Sequence, residues 1–344
     1  MCCNLFSSKD SKKIVPLEEE QPSIGSIKLS DGHFIPQLGF GTWLSKAGEV
    51  GLAVKHALQN GYTHIDCAKI YRNEAEIGQS CKEYLESENA KSRKNIFITS
   101  KLWVKDFGSV RETCMESLKD LQVDYLDLYL IHMPWEVDST IDYGIPTDGV
   151  GLIGYNEERI KETWSEMEKL KDEGLVKSIG VSNFSVMKLQ KLLDSQPKHI
   201  PVINQVESHP YLPCQKMFDF CKKNGILMTA YSPLGNPGRP KFFQNDNEPY
   251  LLGDDVISAI AHKHNSTNGL VLLAWGLQRG NCVISKSTNE RRIKENMKCL
   301  RLKLDQQDMK DISSITTRFR YSQNPWAVPE GGKPEDLWDG DFLG

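Results

Sequence analysis

The chain lacks three features by which large classes of protein are recognised: a long apolar run, paired cysteines and a basic block. No stretch approaches the roughly 20 apolar residues of a membrane-spanning helix. The nine cysteines are scattered, without a Cys-x-x-Cys pair or the Cys/His spacing of a zinc site, which predicts reduced thiols and no metal centre. The net charge is −4, and no Lys/Arg stripe is interleaved with aromatic residues. We therefore expect a small-molecule ligand, no nucleic-acid partner and no transmembrane span.

Residues 1–25 are predicted to be a disordered tail, because this segment is polar, rich in Lys and Glu and poor in apolar residues. Within it, Cys2 and Cys3 lie beside Leu5 and Phe6, and acylation of both thiols would supply the two anchors that stable membrane attachment requires. An unmodified tail is the simpler interpretation. Since the N-terminus carries no secretory apolar segment, we expect a cytoplasmic protein.

Residues 26–344 are predicted to form one α/β domain, in which eight β-rich runs alternate with stretches of helical length. Eight such units favour a closed (β/α)8 TIM barrel over an open sheet. A β-hairpin made of Ile24–Leu29 and His33–Gln37, with its turn at Ser-Asp-Gly, is expected to close the barrel floor. The predicted strands are Leu38–Thr42, Thr63–Ala68, Ile96–Leu102, Tyr125–His132, Val176–Ser182, Val202–Glu207, Ile226–Tyr231 and Cys282–Ser285.

Three long stretches show no regular pattern: Pro134–Asn156, Gly235–Gly253 and Ser313–Gly344. Loops of this length in a compact domain are usually functional or disordered. The first two follow the fourth and seventh predicted strands, at the carboxyl face where barrel enzymes place their sites.

Four residues that can handle protons lie at or just after the ends of three successive predicted strands: Asp66, Tyr71, Lys101 and His132. Each alone has an ordinary structural explanation, such as an ion pair, a packed ring, a solvated strand end or a core imidazole. Together they are expected to converge, because the carboxyl ends of the strands meet around the axis of a barrel.

The four residue types suggest separate roles in acid catalysis. A phenol is a weak acid at neutral pH, so we expect Lys101 to lower the pKa of Tyr71. An ion pair with Asp66 would keep Lys101 charged. A neutral His132 would donate a hydrogen bond to a substrate carbonyl oxygen. The pattern predicts a reduction site at which Tyr71 supplies the proton and another group supplies the hydride.

Six motifs follow one another along the chain. They are Gly-Tyr-Thr-His-Ile-Asp-Cys-Ala-Lys-Ile-Tyr-Arg-Asn-Glu-Ala-Glu-Ile-Gly (61–78), Asp-Tyr-Leu-Asp-Leu-Tyr-Leu-Ile-His-Met-Pro (124–134), Ile-Gly-Val-Ser-Asn-Phe (179–184), Asn-Gln-Val-Glu-Ser-His-Pro-Tyr (204–211), Thr-Ala-Tyr-Ser-Pro-Leu-Gly (229–235) and Ile-Ser-Lys-Ser (284–287). These motifs, in family order, closely resemble the aldo-keto reductases, and the nearest match is the aldose/aldehyde reductase type. The resemblance runs from about Ile27 to Trp326.

The resemblance implies NADPH-dependent carbonyl reduction, with the catalytic tetrad of the family at Asp66, Tyr71, Lys101 and His132. It also implies a cofactor site that runs from the nicotinamide through the pyrophosphate to the adenosine 2′-phosphate and the adenine. Two cations at the 2′-phosphate predict a preference for NADPH over NADH, which has no phosphate there. The implied cofactor residues are Thr42, Trp43, Asp66, Ser182, Asn183, Gln205, Tyr231, Ser232, Leu234, Lys286, Ser287, Thr288, Arg292, Glu295 and Asn296.

The same match implies a substrate pocket and marks three departures from the aldose reductase pattern. Met133 replaces a usual tryptophan, which predicts a more flexible wall with less stacking. Gly238 replaces an acidic residue that would pair with Lys286 over the cofactor, and Ser285 replaces a proline. The resemblance also implies that the C-terminal segment, at about 313–344, is a substrate loop. The implied pocket residues are Trp43, Ile70, Tyr71, Trp103, His132 and Met133.

The leading hypothesis from the sequence is a monomeric reductase of aldoses and other small aldehydes. One alternative is a ketone reductase for steroids, prostanoids or quinones. Another is a partner subunit that binds NADPH and has only incidental chemistry. The long loops would separate the enzyme hypotheses, whereas the intact tetrad disfavours the partner subunit.

Overall fold

The structure is a computed structural model that describes residues 25–87, 92–141, 151–244, 246–328 and 332–343. Gly25 is therefore the only residue of the predicted tail within it, and Cys2 and Cys3 lie outside the described residues. Among those described, no helix is both long and apolar enough to cross a membrane.

Eight parallel strands form a closed barrel, which confirms the predicted fold. Their order around the barrel is β3, β4, β5, β6, β9, β10, β11 and β12, with β12 pairing to β3. All eight predicted strands are present, and each end lies within two residues of its predicted position. The described strands are β1 (Ser26–Lys28), β2 (Phe34–Pro36), β3 (Leu38–Gly41), β4 (His64–Asp66), β5 (Phe97–Leu102), β6 (Leu126–Ile131), β7 (Glu136–Val137), β8 (Leu152–Gly154), β9 (Val176–Ser182), β10 (Ile203–Glu207), β11 (Leu227–Tyr231) and β12 (Cys282–Ser285).

Helices connect the strands and cover the outside of the barrel. The described α-helices are α1 (Val50–Gln59), α2 (Glu74–Leu85), α3 (Val110–Leu121), α4 (Glu157–Asp172), α5 (Val186–Asp194), α6 (Gln215–Lys223), α7 (Asp255–Lys263), α8 (Asn268–Gln278), α9 (Glu290–Asn296) and α10 (Gln306–Ser313).

Helix α4 shows how local sequence sets these elements. It begins after Asn156, whose side-chain oxygen accepts a hydrogen bond from the Arg159 N–H, and it ends before Gly174, which has a φ of 78°. The apolar residues recur with helical spacing and bury one face, as expected of a helix packed on a sheet. The buried residues of α4 are Ile160, Thr163, Trp164, Met167 and Leu170.

Strand β6 is buried on both faces, which is typical of a parallel barrel strand. Leu128 and Leu130 pack in a cluster with Ile284 of β12, whereas Tyr129 and Ile131 belong to the larger cluster that includes helix residues. The alternation follows from the two-residue period of a strand.

The N-terminal hairpin closes the barrel floor, as predicted. Strands β1 and β2 are antiparallel, and Leu29 and Ile35 are buried beside them. These two side chains pack in one cluster with Phe97, Ile203 and Cys282, the first residues of three barrel strands. The hairpin therefore seals the amino end of the barrel and leaves the carboxyl end for a site.

Candidate active site

The carboxyl edge of the barrel brings the four predicted catalytic residues together. Asp66 ends β4, Lys101 lies near the end of β5, and His132 directly follows β6. Tyr71 ends a short 3-10 turn, Lys69–Tyr71, that follows β4. The side-chain amide of Asn73 donates to the Thr42 carbonyl over 3.0 Å and ties this turn to the end of β3.

Lys101 is the centre of a buried network. Its ammonium donates to Asp66 Oδ1 over 2.6 Å, to the Cys67 carbonyl over 2.7 Å and to the Tyr71 hydroxyl over 3.5 Å. The second carboxylate oxygen of Asp66 accepts from Gln205 Nε2 over 2.8 Å. Lys101 has no exposed surface. Hydrogen bonds to both partners offset the cost of burying this ion pair, which holds the ammonium beside the phenol.

The predicted lowering of the Tyr71 pKa is wrong for this structure. Burial raises the pKa of the Tyr71 phenol well above its usual range, and the negative charge of Asp66 adds to that effect. The ammonium of Lys101 makes its two shorter bonds to Asp66 and Cys67, so its charge is largely matched before it reaches the phenol. Tyr71 is consequently a protonated acid at neutral pH.

His132 faces the phenol as a neutral imidazole. The ring centroids of His132 and Tyr71 lie 5.8 Å apart, with the rings edge to face. Burial, and then the positive charge of Lys101, hold the pKa of His132 well below its usual range. Its Nδ1 is buried and has no hydrogen-bond partner among the described residues. A neutral ring can donate one hydrogen bond to an oxygen placed beside Tyr71.

A cleft of about 550 Å³ opens above these residues. All the predicted cofactor and substrate residues except Glu295 line it, and of the tetrad only Lys101 does not. The predicted residues that line the cleft are Thr42, Trp43, Asp66, Ile70, Tyr71, Trp103, His132, Met133, Ser182, Asn183, Gln205, Tyr231, Ser232, Leu234, Lys286, Ser287, Thr288, Arg292 and Asn296.

The sequence profile of the Aldo/keto reductase family matches residues 37–317 of this chain. The chain belongs to the aldo-keto reductase family. It is therefore an oxidoreductase, and aldo-keto reductases generally use NADP(H).

Individual relatives of this aldo-keto reductase carry different activities in their names. Prostaglandin-E(2) 9-reductase of Oryctolagus cuniculus is 43% identical over 322 residues, covering 91% of this chain and 98% of the relative. Estradiol 17 beta-dehydrogenase 5 of Mus musculus is 44% identical over 305 residues, covering 86% and 93%. Among solved structures, the aldose reductase of Schistosoma japonicum superposes with a TM-score of 0.78 at 41% identity, covering 86% of this chain and 94% of that one.

The cleft of this aldo-keto reductase fits a dinucleotide phosphate. At one end, the exposed side chains of Lys286 and Arg292 make no ion pair within 4 Å to any described residue, so both are free to meet an anion. At the other end, Ser182, Asn183 and Gln205 are buried polar residues beside the tetrad. Charged groups at one end and buried amides at the other match the two ends of NADPH.

Neighbouring groups already hold the two buried amides, Asn183 and Gln205, in place. Asn183 Nδ2 donates to the His132 carbonyl over 2.9 Å, and Asn183 Oδ1 accepts from the Tyr231 hydroxyl over 2.8 Å. Asn183 adopts a φ of 62°, a left-handed conformation that asparagine tolerates better than most residues. Since Gln205 bonds Asp66, this side of the cleft is coupled to the tetrad through direct hydrogen bonds.

The substrate side of the cleft is more aromatic than the sequence predicted. Trp103 lies edge to face with His132, at 5.2 Å between ring centroids, and Trp326 lies 5.8 Å from Trp103. Met133 packs in the same buried cluster as both tryptophans and Trp135. The reduced stacking expected at Met133 stays a prediction, although the Trp326 indole of the C-terminal segment lies in the same cluster.

Several cleft residues were missed by the sequence interpretation. Tyr321, Ser322 and Asn324 of the C-terminal segment and Arg239 of the loop after β11 line the cleft. The guanidinium of Arg239 pairs with Glu248 and lies 5.0 Å from the ring centre of Tyr321. The aromatic residues of the C-terminal segment were the available signal, although nothing in their spacing indicates which of them face the cleft. Among the described residues, no group of three potential metal ligands is present.

Proposed function

We propose that this protein reduces aldehydes, aldoses and other small carbonyl compounds to alcohols with NADPH, and that Tyr71 donates the proton. The observation that carries this proposal is the grouping of a phenol, an ammonium and an imidazole at the cleft. The Tyr71 hydroxyl lies 3.5 Å from Lys101 Nζ, and its ring faces His132 at 5.8 Å.

Each member of the tetrad has one task in this proposal. When bound, NADPH supplies the hydride. Tyr71 gives its proton to the carbonyl oxygen, and the neutral imidazole of His132 donates a hydrogen bond that holds the same oxygen. Lys101 stabilises the phenolate that remains, and Asp66 keeps Lys101 in place. The resting phenol of Tyr71 therefore stays protonated, and Lys101 stabilises the negative charge that develops on the phenol oxygen during the reaction.

The cofactor end of the cleft supports NADPH as the reductant. Lys286 and Arg292 would bind the 2′-phosphate, while Ser182, Asn183 and Gln205 would face the nicotinamide carboxamide. Ser287 and Thr288, which follow Lys286 at the cleft, offer hydroxyls to the same phosphate. NADH lacks the 2′-phosphate that Lys286, Arg292 and the two hydroxyls would bind.

A ketone reductase for larger substrates is the second candidate. The names of the rabbit and mouse relatives refer to a prostaglandin and a steroid, and the aromatic wall of Trp103 and Trp326 would accommodate a flat apolar body. A panel of glucose, xylose, methylglyoxal and steroids would separate the candidates by their kcat/KM values. A partner subunit without catalytic activity remains the contrasting hypothesis, and turnover of none of these carbonyls would favour it.

The decisive test of the chemistry is the replacement Tyr71→Phe. We expect the purified protein to oxidise NADPH with glyceraldehyde, and Tyr71→Phe to abolish this turnover while NADPH binding, followed by its fluorescence, changes little. Tyr155→Phe, outside the cleft, is the matched control. Normal turnover by Tyr71→Phe would disprove the proton-donor assignment.

We further propose, from the resemblance, a single domain from residue 26 to 344 that acts as a monomer in the cytoplasm. Sedimentation of the full chain at several concentrations tests the monomer. Mass analysis of the chain purified from eukaryotic cells tests whether Cys2 and Cys3 are acylated.

A further inference from the structure

Glu207 is a buried carboxylate at the end of β10 that the catalytic mechanism does not use. It has no exposed surface and does not line the cleft. One oxygen accepts hydrogen bonds from His209 Nε2 over 2.9 Å and from the Tyr321 N–H over 2.7 Å, and the other accepts from the Ser322 N–H over 2.7 Å. Two of these three donors belong to the backbone of the C-terminal segment, more than 110 residues away in sequence.

The carboxylate remains charged in this setting. Burial alone would raise the pKa of Glu207, but the hydrogen bond from His209, the charge of Arg320 and the N–H of Tyr321 outweigh burial and hold that pKa below its usual range. Hydrogen bonds from N–H groups to a carboxylate are stronger than those to a neutral acceptor. Glu207 is therefore a firm attachment point for a segment that has little regular secondary structure.

The attached segment leads directly to the substrate wall. Tyr321 and Ser322 line the cleft, and so does Trp326, four residues after Ser322. The ring of Trp326 lies 5.8 Å from Trp103, which in turn contacts His132. The position of Trp326 beside Trp103 thus depends on where the chain leaves Ser322.

A second attachment lies beyond Trp326. Lys188 donates hydrogen bonds to the Asp339 carboxylate and to the Leu337 carbonyl, and so fixes Trp338 between them. Trp338 packs edge to face on Trp135, which packs on Trp326. Trp326 is thereby held from both sides, and Glu207 is the attachment nearer to it in sequence.

Glu207 also shares a strand with the catalytic network. Gln205, two residues earlier in β10, bonds Asp66, while the end of the same strand carries Glu207. Because Gln205 fixes β10 to the tetrad, any shift of the C-terminal segment would be a shift relative to the tetrad.

We propose that Glu207 is a positioning residue for substrate selection: it sets the substrate wall by fixing Tyr321 and Ser322, and thereby selects carbonyl compounds with a flat apolar body. This inference rests on the proposed carbonyl reduction. Glyceraldehyde is small enough to react at Tyr71 and His132 without the Trp326 indole, whereas an aromatic aldehyde such as 4-nitrobenzaldehyde gains binding from it.

The test compares two substrates in one variant, Glu207→Gln, at saturating NADPH. The amide keeps the shape but replaces one acceptor by an NH2 group that faces a backbone N–H. We expect kcat/KM for 4-nitrobenzaldehyde to fall about tenfold, mainly through KM, while kcat/KM for glyceraldehyde stays within about twofold. Because both substrates use the same cofactor, their ratio cancels any change in NADPH binding.

Amide hydrogen exchange measures the attachment of the C-terminal segment to Glu207 without relying on enzyme activity. We expect the backbone amides of Tyr321 and Ser322 to exchange faster in Glu207→Gln. The matched control is Asp308→Asn, because Asp308 is also a buried carboxylate that bonds a histidine, His264, over 2.7 Å, but caps α10 away from the cleft. The control should lose stability with an unchanged substrate ratio and unchanged exchange at Tyr321 and Ser322.

A double-mutant cycle with Trp326→Ala identifies the route. If Glu207 acts through Trp326, the double variant reduces 4-nitrobenzaldehyde no worse than Trp326→Ala alone. Additive losses, parallel losses for both substrates, or an unchanged ratio would overturn the proposal. Should Glu207→Gln fail to fold, Glu207→Asp takes its place, because it keeps the charge but has a side chain one methylene shorter. The same two results are expected of it: a lower ratio of kcat/KM for 4-nitrobenzaldehyde to that for glyceraldehyde, and faster exchange of the Tyr321 and Ser322 amides. If the unaltered protein reduces neither carbonyl, the proposed function fails, while amide exchange still decides whether Glu207 holds the segment.

Discussion

The ammonium of Lys101 lies 3.5 Å from the Tyr71 hydroxyl but only 2.6 Å from Asp66 Oδ1. The lysine is thus held by the carboxylate and reaches the phenol by its longest bond. Such an arrangement leaves Tyr71 protonated at rest and places a positive charge where the phenolate forms. The importance of Lys101 should therefore appear in the rate of the chemical step.

Removing the ammonium should slow reduction strongly. In Lys101→Met, we expect the single-turnover rate of NADPH oxidation to fall by about 100-fold or more, the range typical of a lost acid-base contribution. The variant should also lose about 3–5 kcal/mol of unfolding free energy, since Asp66 stays buried without its cation. Lys69→Met is the control, because Lys69 pairs with Asp120 outside the cleft. A single-turnover rate close to that of the unaltered protein would contradict the role of Lys101.

The pH dependence should differ between the two directions of reaction. Reduction needs the protonated phenol, and because the pKa of Tyr71 is raised, that form persists until the pH rises through this raised value. Because the pKa of His132 is lowered, its imidazole stays neutral at pH values at which an ordinary imidazole would be protonated. We expect kcat/KM for reduction to stay level between about pH 6.5 and 9. Alcohol oxidation needs the phenolate and should speed up as the pH rises.

The kcat/KM of glyceraldehyde reduction, measured across that interval in buffers of constant ionic strength, checks this prediction. A decline of reduction centred near pH 8 would indicate a lowered Tyr71 pKa, as the sequence alone had suggested. A fall toward acid near pH 6.5 would indicate an imidazole with an ordinary pKa.

Lys286 and Arg292, at the basic end of the cleft, should determine the preference for NADPH over NADH. Lys286→Met and Arg292→Ala should each weaken NADPH binding by about 10-fold or more, because each removes a charge-assisted bond to phosphate worth about 1.5–3 kcal/mol. NADH binding should change little in either variant. Lys294→Met is the matched control, because Lys294 is an exposed lysine of α9, the helix that carries Arg292, and does not line the cleft. Fluorescence titration of both cofactors gives the comparison, and equal losses for NADPH and NADH would refute the assignment.

The sequence predicted the barrel and the tetrad because both depend on local signals. Eight apolar runs that alternate with stretches of helical length indicate the strands, and residues at the strand ends, such as Asp66 and His132, then lie at the carboxyl edge of the barrel. The aromatic wall could not be predicted in this way. Trp326 reaches its place through the contact of Glu207 with Tyr321 and Ser322, a pairing of distant segments that no periodicity reveals.

The pKa of Tyr71 shows a second limit of sequence reasoning. An adjacent lysine was expected to lower it, but the sign depends on how burial and the Asp66 charge compare with the ammonium. These quantities follow from distances of a few ångströms, such as those from Lys101 Nζ to its three partners. The sequence shows which residue types are present, whereas the sign of the pKa shift depends on their distances and burial in the folded site.

Gly238 offers a test of how tightly the cleft retains its cofactor. By resemblance it stands where related enzymes carry an acidic residue that pairs with the lysine matched by Lys286. A side chain can be added there, because a Cβ at Gly238 would have no atom within 4 Å among the described residues. Lys286 makes no ion pair within 4 Å in the described part of the chain, so it is available to an introduced carboxylate.

We therefore expect Gly238→Asp to slow NADPH release about two- to fivefold, the effect of an ion pair of about 0.5–1 kcal/mol near the surface. Gly238→Asn is the matched control, since it adds the same volume without charge and should leave the release rate nearly unchanged. Stopped-flow fluorescence after displacement of NADPH measures both rates. The effect should shrink at high salt, because an exposed pair is screened. Equal slowing by the aspartate and the asparagine would attribute it to a stiffer backbone, and the charge pair with Lys286 would be rejected.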